Sequence, residues 1–310
     1  MNCVVLCATR RGYRFLEKLI ALAPEMHLIV FSFREEPHEP PFMDDIRALT
    51  VSAGGEFHET RKVSADKWQQ FWSSTSVDLM FMVSWRYLVP DTIYSRARLG
   101  AFVFHDSLLP AYRGFAPTVW AIVNGEDHTG VSMFHIAGGV DSGDLVHQHR
   151  VEIGPDDTIT NVIERVTLAY LHTLEHVLPA VLEGKAASLP QDHSLATYTC
   201  KRIPDDNRID WSQSANTIYN LIRGVTRPYT GAFTHFQGQK LTIWTASLLR
   251  DFPRYVGIIP GRVIEIRAGE GVVVLAGTGA LLLHEVQLAD DPPVNASTLL
   301  TSLSHTLGRD

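Results

Sequence analysis

The sequence predicts an α/β fold: a mainly parallel, twisted sheet covered on both faces, followed by a smaller domain of closely spaced short strands. Three observations carry this. Short, wholly apolar runs alternate with helix-like stretches through the first half of the chain, the pattern of parallel strands buried on both faces. Residues 158–183 repeat apolar side chains at helical spacing, from Ile159, Val162, Ile163 and Val166 on to Val181, which marks one long amphipathic helix. Beyond residue 203, short β-like runs are separated by turn residues, as in a small barrel.

Residues 3–8 are a continuous apolar run and a first strand, and Thr9-Arg-Arg-Gly12 turns into a helix over 13–23. Residues 27–33 read as a second strand, 67–72 as the end of a helix, 77–83 as a third buried strand and 101–105 as a fourth. Pro117 opens a short helix over 117–124, a position where its missing N–H costs little. Strands follow at 129–136 and 145–151, then the long helix, with Gly184 as its stop. The stretch after it lacks a period and contains Pro190. The reading is a Rossmann-like domain at 1–190, a linker at 191–203 and an OB-like β-barrel domain at 204–310. That last domain starts with a helix over 212–225 and continues in strands at 231–236, 240–248, 261–266, 271–275 and 280–286.

With 310 residues, 45% apolar and 20% charged, the chain is comfortable for two domains and needs neither disulfide nor metal to hold its core. A net charge of −7 argues against a surface made for nucleic acid. Cys3, Cys7 and Cys200 form no C-x-x-C pair, and the first two lie in a buried strand as packing thiols, so a reducing, cytoplasmic compartment is expected. The apolar N-terminus lacks a preceding basic segment and reads as a strand, not a signal peptide. No apolar run reaches the length of about 18 residues that a membrane span needs. A symmetric homodimer is the default assembly.

Chemistry concentrates in residues 104–117 and 141–144, where His105 and Asp141 stand on Gly- and Pro-rich loops at the ends of strand candidates. The segment carries Ser107-Leu-Leu-Pro110, Tyr112-Arg-Gly114, Thr129-Gly-Val131 and Asp141-Ser-Gly-Asp144. In these motifs it resembles the N10-formyltetrahydrofolate-dependent formyltransferases, which include methionyl-tRNA formyltransferase, glycinamide ribonucleotide formyltransferase and the sugar-nucleotide N-formyltransferases. Residues 202–211, 223–233 and 240–244 are similar to the C-terminal domain that the methionyl-tRNA enzymes share with the arabinose-type sugar enzymes. The likeness covers nearly the whole chain.

Formyl transfer needs a proton acceptor for the attacking amine and a donor for the developing oxyanion. The resemblance implies these roles for His105 and Asp141, with Ser107 ordering a water or the cofactor. It implies a pterin held against backbone at Ser84-Trp85-Arg86-Tyr87-Leu88 and at Gly138-Gly139-Val140-Asp141, where glycine lets a ring approach. The chain departs from the family two residues before the histidine: Val103 stands where the family has Asn, its neutral oxyanion donor. Asp106, Ser107 or a backbone N–H are the nearby substitutes; otherwise the chain is a relative that binds without reacting.

Arg10 and Arg11 follow the first strand, where an anion meets a helix N-terminus, and with Tyr112 and Arg113 are candidates for substrate contact. His147-Gln-His149 puts two rings on one strand face, but with no third ligand nearby no metal is expected. Three amines fit as acceptor: methionyl-tRNA, a nucleotide-linked amino sugar or another small amine. The methionyl-tRNA enzymes carry a basic early insertion. Residues 34–45 here contain one Arg and five acidic residues, which disfavours RNA. The expected partner is an amino-deoxy sugar linked to a nucleotide, with methionyl-tRNA as the second reading.

Overall fold

The structure of the protein is a computed structural model that describes residues 1–36 and 39–309. In chain order it contains β1 (Asn2–Cys7), α1 (Thr9–Leu22), β2 (His27–Ser32), α2 (Met43–Ser52), β3 (Glu56–Glu59), α3 (Gln69–Ser74), β4 (Leu79–Val83), α4 (Asp91–Tyr94), β5 (Ala101–His105) and β6 (Arg113–Gly114). Then come α5 (Pro117–Val123), β7 (His128–His135), β8 (Leu145–Glu152), α6 (Ile159–Leu182) and β9 (Tyr198–Thr199). Two compact units divide the chain: Met1–Pro117 with Thr129–Glu152 and Ile163–Cys200, and Thr118–His128 with Ile153–Val162 and everything from Lys201 onward.

The first unit is built on a seven-stranded sheet ordered β3-β2-β1-β4-β5-β7-β8. The pairs from β3 through β5 are parallel, and β7 lies antiparallel to β5. Central β1 is fully buried from Cys3 to Cys7 because it is covered on both faces. Val4 and Leu6 join Met80, Met82, Phe31 and Trp72 on one face. On the other, Phe15 of α1 meets Phe81 and Phe104 edge-on, and Phe104 stacks on Tyr170 of α6. Burial pushes the Cys7 thiol up to about 12 and Cys3 higher still, so both are inert packing groups.

The order has a functional consequence. From β1 the chain first winds outward through β2 and β3, then returns to place β4 on the other side of β1. Loops leaving β1 and β4 therefore diverge at their carboxyl ends, the place where open α/β sheets form a ligand crevice. His105 ends β5, the next strand along.

Several elements had no sequence expectation, among them β3 and α2. Glu-Phe-His-Glu is hardly apolar, yet it forms β3, an edge strand with one neighbour. Helix α2 lies between β2 and β3, and α1 starts at Thr9 rather than at residue 13. Residues 191–200, read as linker, are counted with the first unit, where β9 pairs in parallel with β6.

The second unit continues through α7 (Ala215–Val225), β10 (Ala232–Phe236), β11 (Gln239–Leu249), β12 (Val263–Arg267), β13 (Gly271–Leu275), β14 (Ala280–Leu288), β15 (Val294–Asn295) and α8 (Ala296–Leu299). Its strands form one antiparallel sheet ordered β10-β11-β14-β13-β12, with β15 beside β14. Ser214 caps α7 by accepting from the Thr217 N–H at 3.1 Å. Its Arg223 is buried and donates to the carbonyls of Gly154 and Asp157, while Arg227 stacks over Trp244 and pairs with Glu285. Among the described residues no helix is long and apolar enough to cross a membrane.

Candidate active site

The site is assembled from the loops after β1, β4, β5 and β7. Their backbones share an unusual property. Thr9, Ser84, Tyr112, Ala116 and Asp141 all have positive φ, between 45° and 64°. Non-glycine residues rarely adopt this conformation, and such residues cluster where the surrounding structure imposes a functional geometry.

His105 is buried at the end of β5. Its Nε2 lies 2.8 Å from the Tyr112 carbonyl oxygen. A carbonyl only accepts, so Nε2 carries the proton of that bond and donates it. Nδ1 then faces the Asp141 carboxylate, with Oδ2 at 3.6 Å. That is too long for a hydrogen bond but close enough for an ion pair once Nδ1 is protonated. The same Oδ2 accepts from the Gly114 N–H at 2.8 Å. Only glycine fits at 114: its φ is 104°, and a Cβ there would lie 2.7 Å from the Thr199 carbonyl. The two residues singled out as the reacting pair thus meet in one loop cluster.

The neighbours of His105 have other duties. Asp106 receives both oxygens' worth of contact from the Arg11 guanidinium, at 2.6 and 2.7 Å, and the Tyr170 hydroxyl. Burial pushes the Asp106 carboxyl up, but the Arg11 charge, the Tyr170 hydroxyl and His105 outweigh it and hold the carboxyl below its usual range. Burial, then the Asp106 charge, drives the Tyr170 hydroxyl well above its usual value. Ser107 is buried and donates to the Ala111 carbonyl at 2.7 Å, which closes the turn that carries Pro110. Neither Asp106 nor Ser107 is placed as a spare donor for the amide that Val103 lacks.

Among the other candidates, Arg10 is exposed and pairs with Glu164, whereas Arg11 lies inward over the Tyr170 ring. Arg113 is buried; its guanidinium donates to Gln191 and meets His193 Nδ1 and the Tyr198 hydroxyl. In the loop after β4, Trp85 and Tyr87 pack edge-on against Phe33, Arg86 pairs with Glu39, and Leu88 is 92% exposed. In the loop after β7, Val140 is 58% exposed, and a Cβ on Gly138 would meet nothing within 4 Å, while one on Gly139 would meet the Ser142 hydroxyl. Open backbone at Gly138 and the solvent-facing Leu88 and Val140 could hold a planar ring system.

Sequence reasoning missed two sets of residues. Gln191 holds the Asp141 loop; a lone Gln in an aperiodic stretch offers no signal. His172 and His176 on α6 face the two histidines of β8, with ring centroids 4.9 Å apart for His147–His176 and 5.1 Å for His149–His172. Their spacing of four along a helix was the available signal. Among the described residues, no group of three or more His, Cys, Asp and Glu is arranged to hold a metal ion.

Two family profiles match the chain. The profile described as formyl transferase matches residues 29–178, and that of the formyl transferase C-terminal domain matches residues 202–304. The chain belongs to the formyl transferase family and is an enzyme of that class. Solved structures share its fold at low identity. A sugar 3N-formyl transferase, WlaRD, solved with dTDP and 5-N-formyl-THF, is 14% identical with a TM-score of 0.69, over 94% of this chain and 99% of its own. An N-formyltransferase from Helicobacter canadensis, in complex with folinic acid and dTDP-3-aminofucose, is 15% identical with a TM-score of 0.69, over 91% and 98%. Methionyl-tRNA formyltransferase from Clostridium thermocellum is 17% identical with a TM-score of 0.55, over 80% and 94%.

Proposed function

We propose that this chain transfers the formyl group of N10-formyltetrahydrofolate to the amine of a nucleotide-linked amino-deoxy sugar. The observation that carries the reading is the His105 Nδ1 atom, facing the Asp141 carboxylate while Nε2–H is committed to the Tyr112 carbonyl. The attacking amine must shed a proton, and Nδ1 is the ring position left to accept it. The carboxylate 3.6 Å away compensates the charge that arrives. His105 then returns the proton to the leaving nitrogen. Ser107 holds the turn beside this pair.

When bound, the folate supplies an activated formyl group. Ser84 to Leu88 and Gly138 to Asp141 would hold it, with exposed Leu88 and Val140 offering apolar contact and Gly138 bare backbone. Arg10, exposed near the start of α1 and paired with Glu164, would be a cation to meet a nucleotide phosphate, with Arg11, Tyr112 and Arg113 the other candidates for substrate contact. The sugar acceptor is favoured over methionyl-tRNA because the sugar enzymes share more of this fold and carry dTDP or a dTDP-linked amino sugar in their structures.

The test is formyl transfer by the purified chain, with N10-formyltetrahydrofolate and a panel of nucleotide-linked amino sugars. Turnover that falls at least about 10³-fold in H105A supports the reading. Folate binding without turnover on any acceptor replaces it with a binding relative; turnover on methionyl-tRNA alone replaces the acceptor.

A further inference from the structure

We infer that Gln191 is a positioning residue for Asp141 and, through it, for His105, an inference that rests on the proposed pairing of those two residues. Asp141 has φ of 45°, a left-handed conformation that an L-residue with a Cβ keeps only when its surroundings impose it. Three hydrogen bonds impose it. Gly114 N–H donates to the carboxylate Oδ2 at 2.8 Å. The Gln191 Nε2 donates to the Asp141 carbonyl at 2.9 Å and to the Gly143 carbonyl at 2.7 Å. One amide thus ties together both ends of the short turn that presents the carboxylate. The turn is tight: a Cβ at Gly143 would collide with the His135 carbonyl.

The amide has one workable orientation. Its Oε1 accepts from the Arg113 Nη2 at 2.6 Å, so its NH₂ must face the two carbonyls. Arg113 is buried among neutral partners, Gln191, His193 and Tyr198, which is an expensive place for a guanidinium. It also directly precedes Gly114, whose N–H holds the carboxylate. The Arg113–Gln191 pair therefore braces Asp141 from both sides, at its backbone and at its carboxylate. Gln191 is 5% exposed and both ends of its amide are engaged, so it acts on the reaction through Asp141.

Q191M keeps the side chain's length and removes both donors. In the full chain its kcat is expected to fall about tenfold or more, with KM for the formyl donor and the amine within about twofold. Added to D141N, Q191M is expected to cost less than about twofold further, because its effect runs through the group already removed. The NMR titration of the His105 ring proton in Q191M is expected to move toward that of D141N. An additive loss in the double variant, or a His105 titration in Q191M identical to wild type, overturns the inference. If Q191M does not fold by circular dichroism, Q191E, which keeps the acceptor toward Arg113, is read by the same measurements and outcomes. The NMR arm needs no substrate: a wild-type chain inert toward every acceptor sinks the proposed function, while the imidazole still reports on Gln191.

Discussion

Val103 shows how a single side chain separates fold from chemistry. It lies two residues before His105 on the same face of β5, in register with Met82 and Phe134, and packs against the apolar cluster that includes Met82 and Ala101. Valine serves packing well and cannot donate. The two polar side chains that the sequence offers as substitutes do not make up for it, since Asp106 is held by Arg11 and Tyr170 and the Ser107 hydroxyl is given to the Ala111 carbonyl. A side-chain donor to an oxyanion is worth about 10²–10³ in rate. V103N is therefore expected to raise kcat at least about tenfold with little change in KM, at a cost of about 1–3 kcal/mol in stability for an amide set partly among apolar neighbours. Steady-state kinetics and a thermal melt check both. An unchanged kcat would mean that a backbone N–H already serves the oxyanion.

Among the elements, β8 and α6 carry the feature with the clearest pH signature. His147 and His149 alternate along the strand, and His172 and His176 stand one turn apart on the helix, so four imidazoles face one another in two pairs. Burial, then the neighbouring rings, lowers His147 below its ordinary 6.5; burial, then His172, does the same for His149. In the interval below 6.5 the unfolded chain binds more protons than the folded one, so stability rises with pH there and is lost as pH falls through it. Thermal melts between about pH 7 and 5 are expected to show a falling Tm, flattened in the H147Q/H149Q double variant; an equal slope in both would assign the effect elsewhere. Legibility in the sequence divides along the same line. The buried strands β1, β4 and β5 were readable because burial on both faces leaves a continuous apolar run. Edge strand β3 was not, since Glu56 and Glu59 face solvent. His105 and Asp141 were readable through motifs on loops, but the φ values that aim those loops, and the return of residues 191–200 to brace them, come from contacts far apart in the chain and leave no local pattern.

For the molecule as a whole, charge decides which acceptor approaches. The chain is acidic, and residues 34–45 were expected to repel RNA by their carboxylates. Pro37 and His38 lie outside the described residues. The others show a subtler arrangement: Glu35 is buried and accepts backbone N–H groups from Thr9, Phe42 and Met43, Glu36 pairs with Arg61, Glu39 with Arg86, and Arg34 with Asp44. Most of the segment's carboxylates are thus matched locally, and its one arginine is engaged with Asp44 rather than poised for phosphates. Clamping an RNA takes many phosphate contacts, and about 6–10 of them lose roughly 10³–10⁵ in affinity between about 50 and 200 mM salt. A nucleotide diphosphate needs one or two arginines and carries no condensed ion atmosphere comparable to a polymer's. Its KM is therefore expected to rise less than about fivefold over the same interval, with kcat nearly constant. The slope of log KM against log salt measures the number of charges exchanged on binding. A slope as steep as a polyanion's would show cations in this surface that the sequence and the pairing above do not supply, and would return the acceptor to transfer RNA.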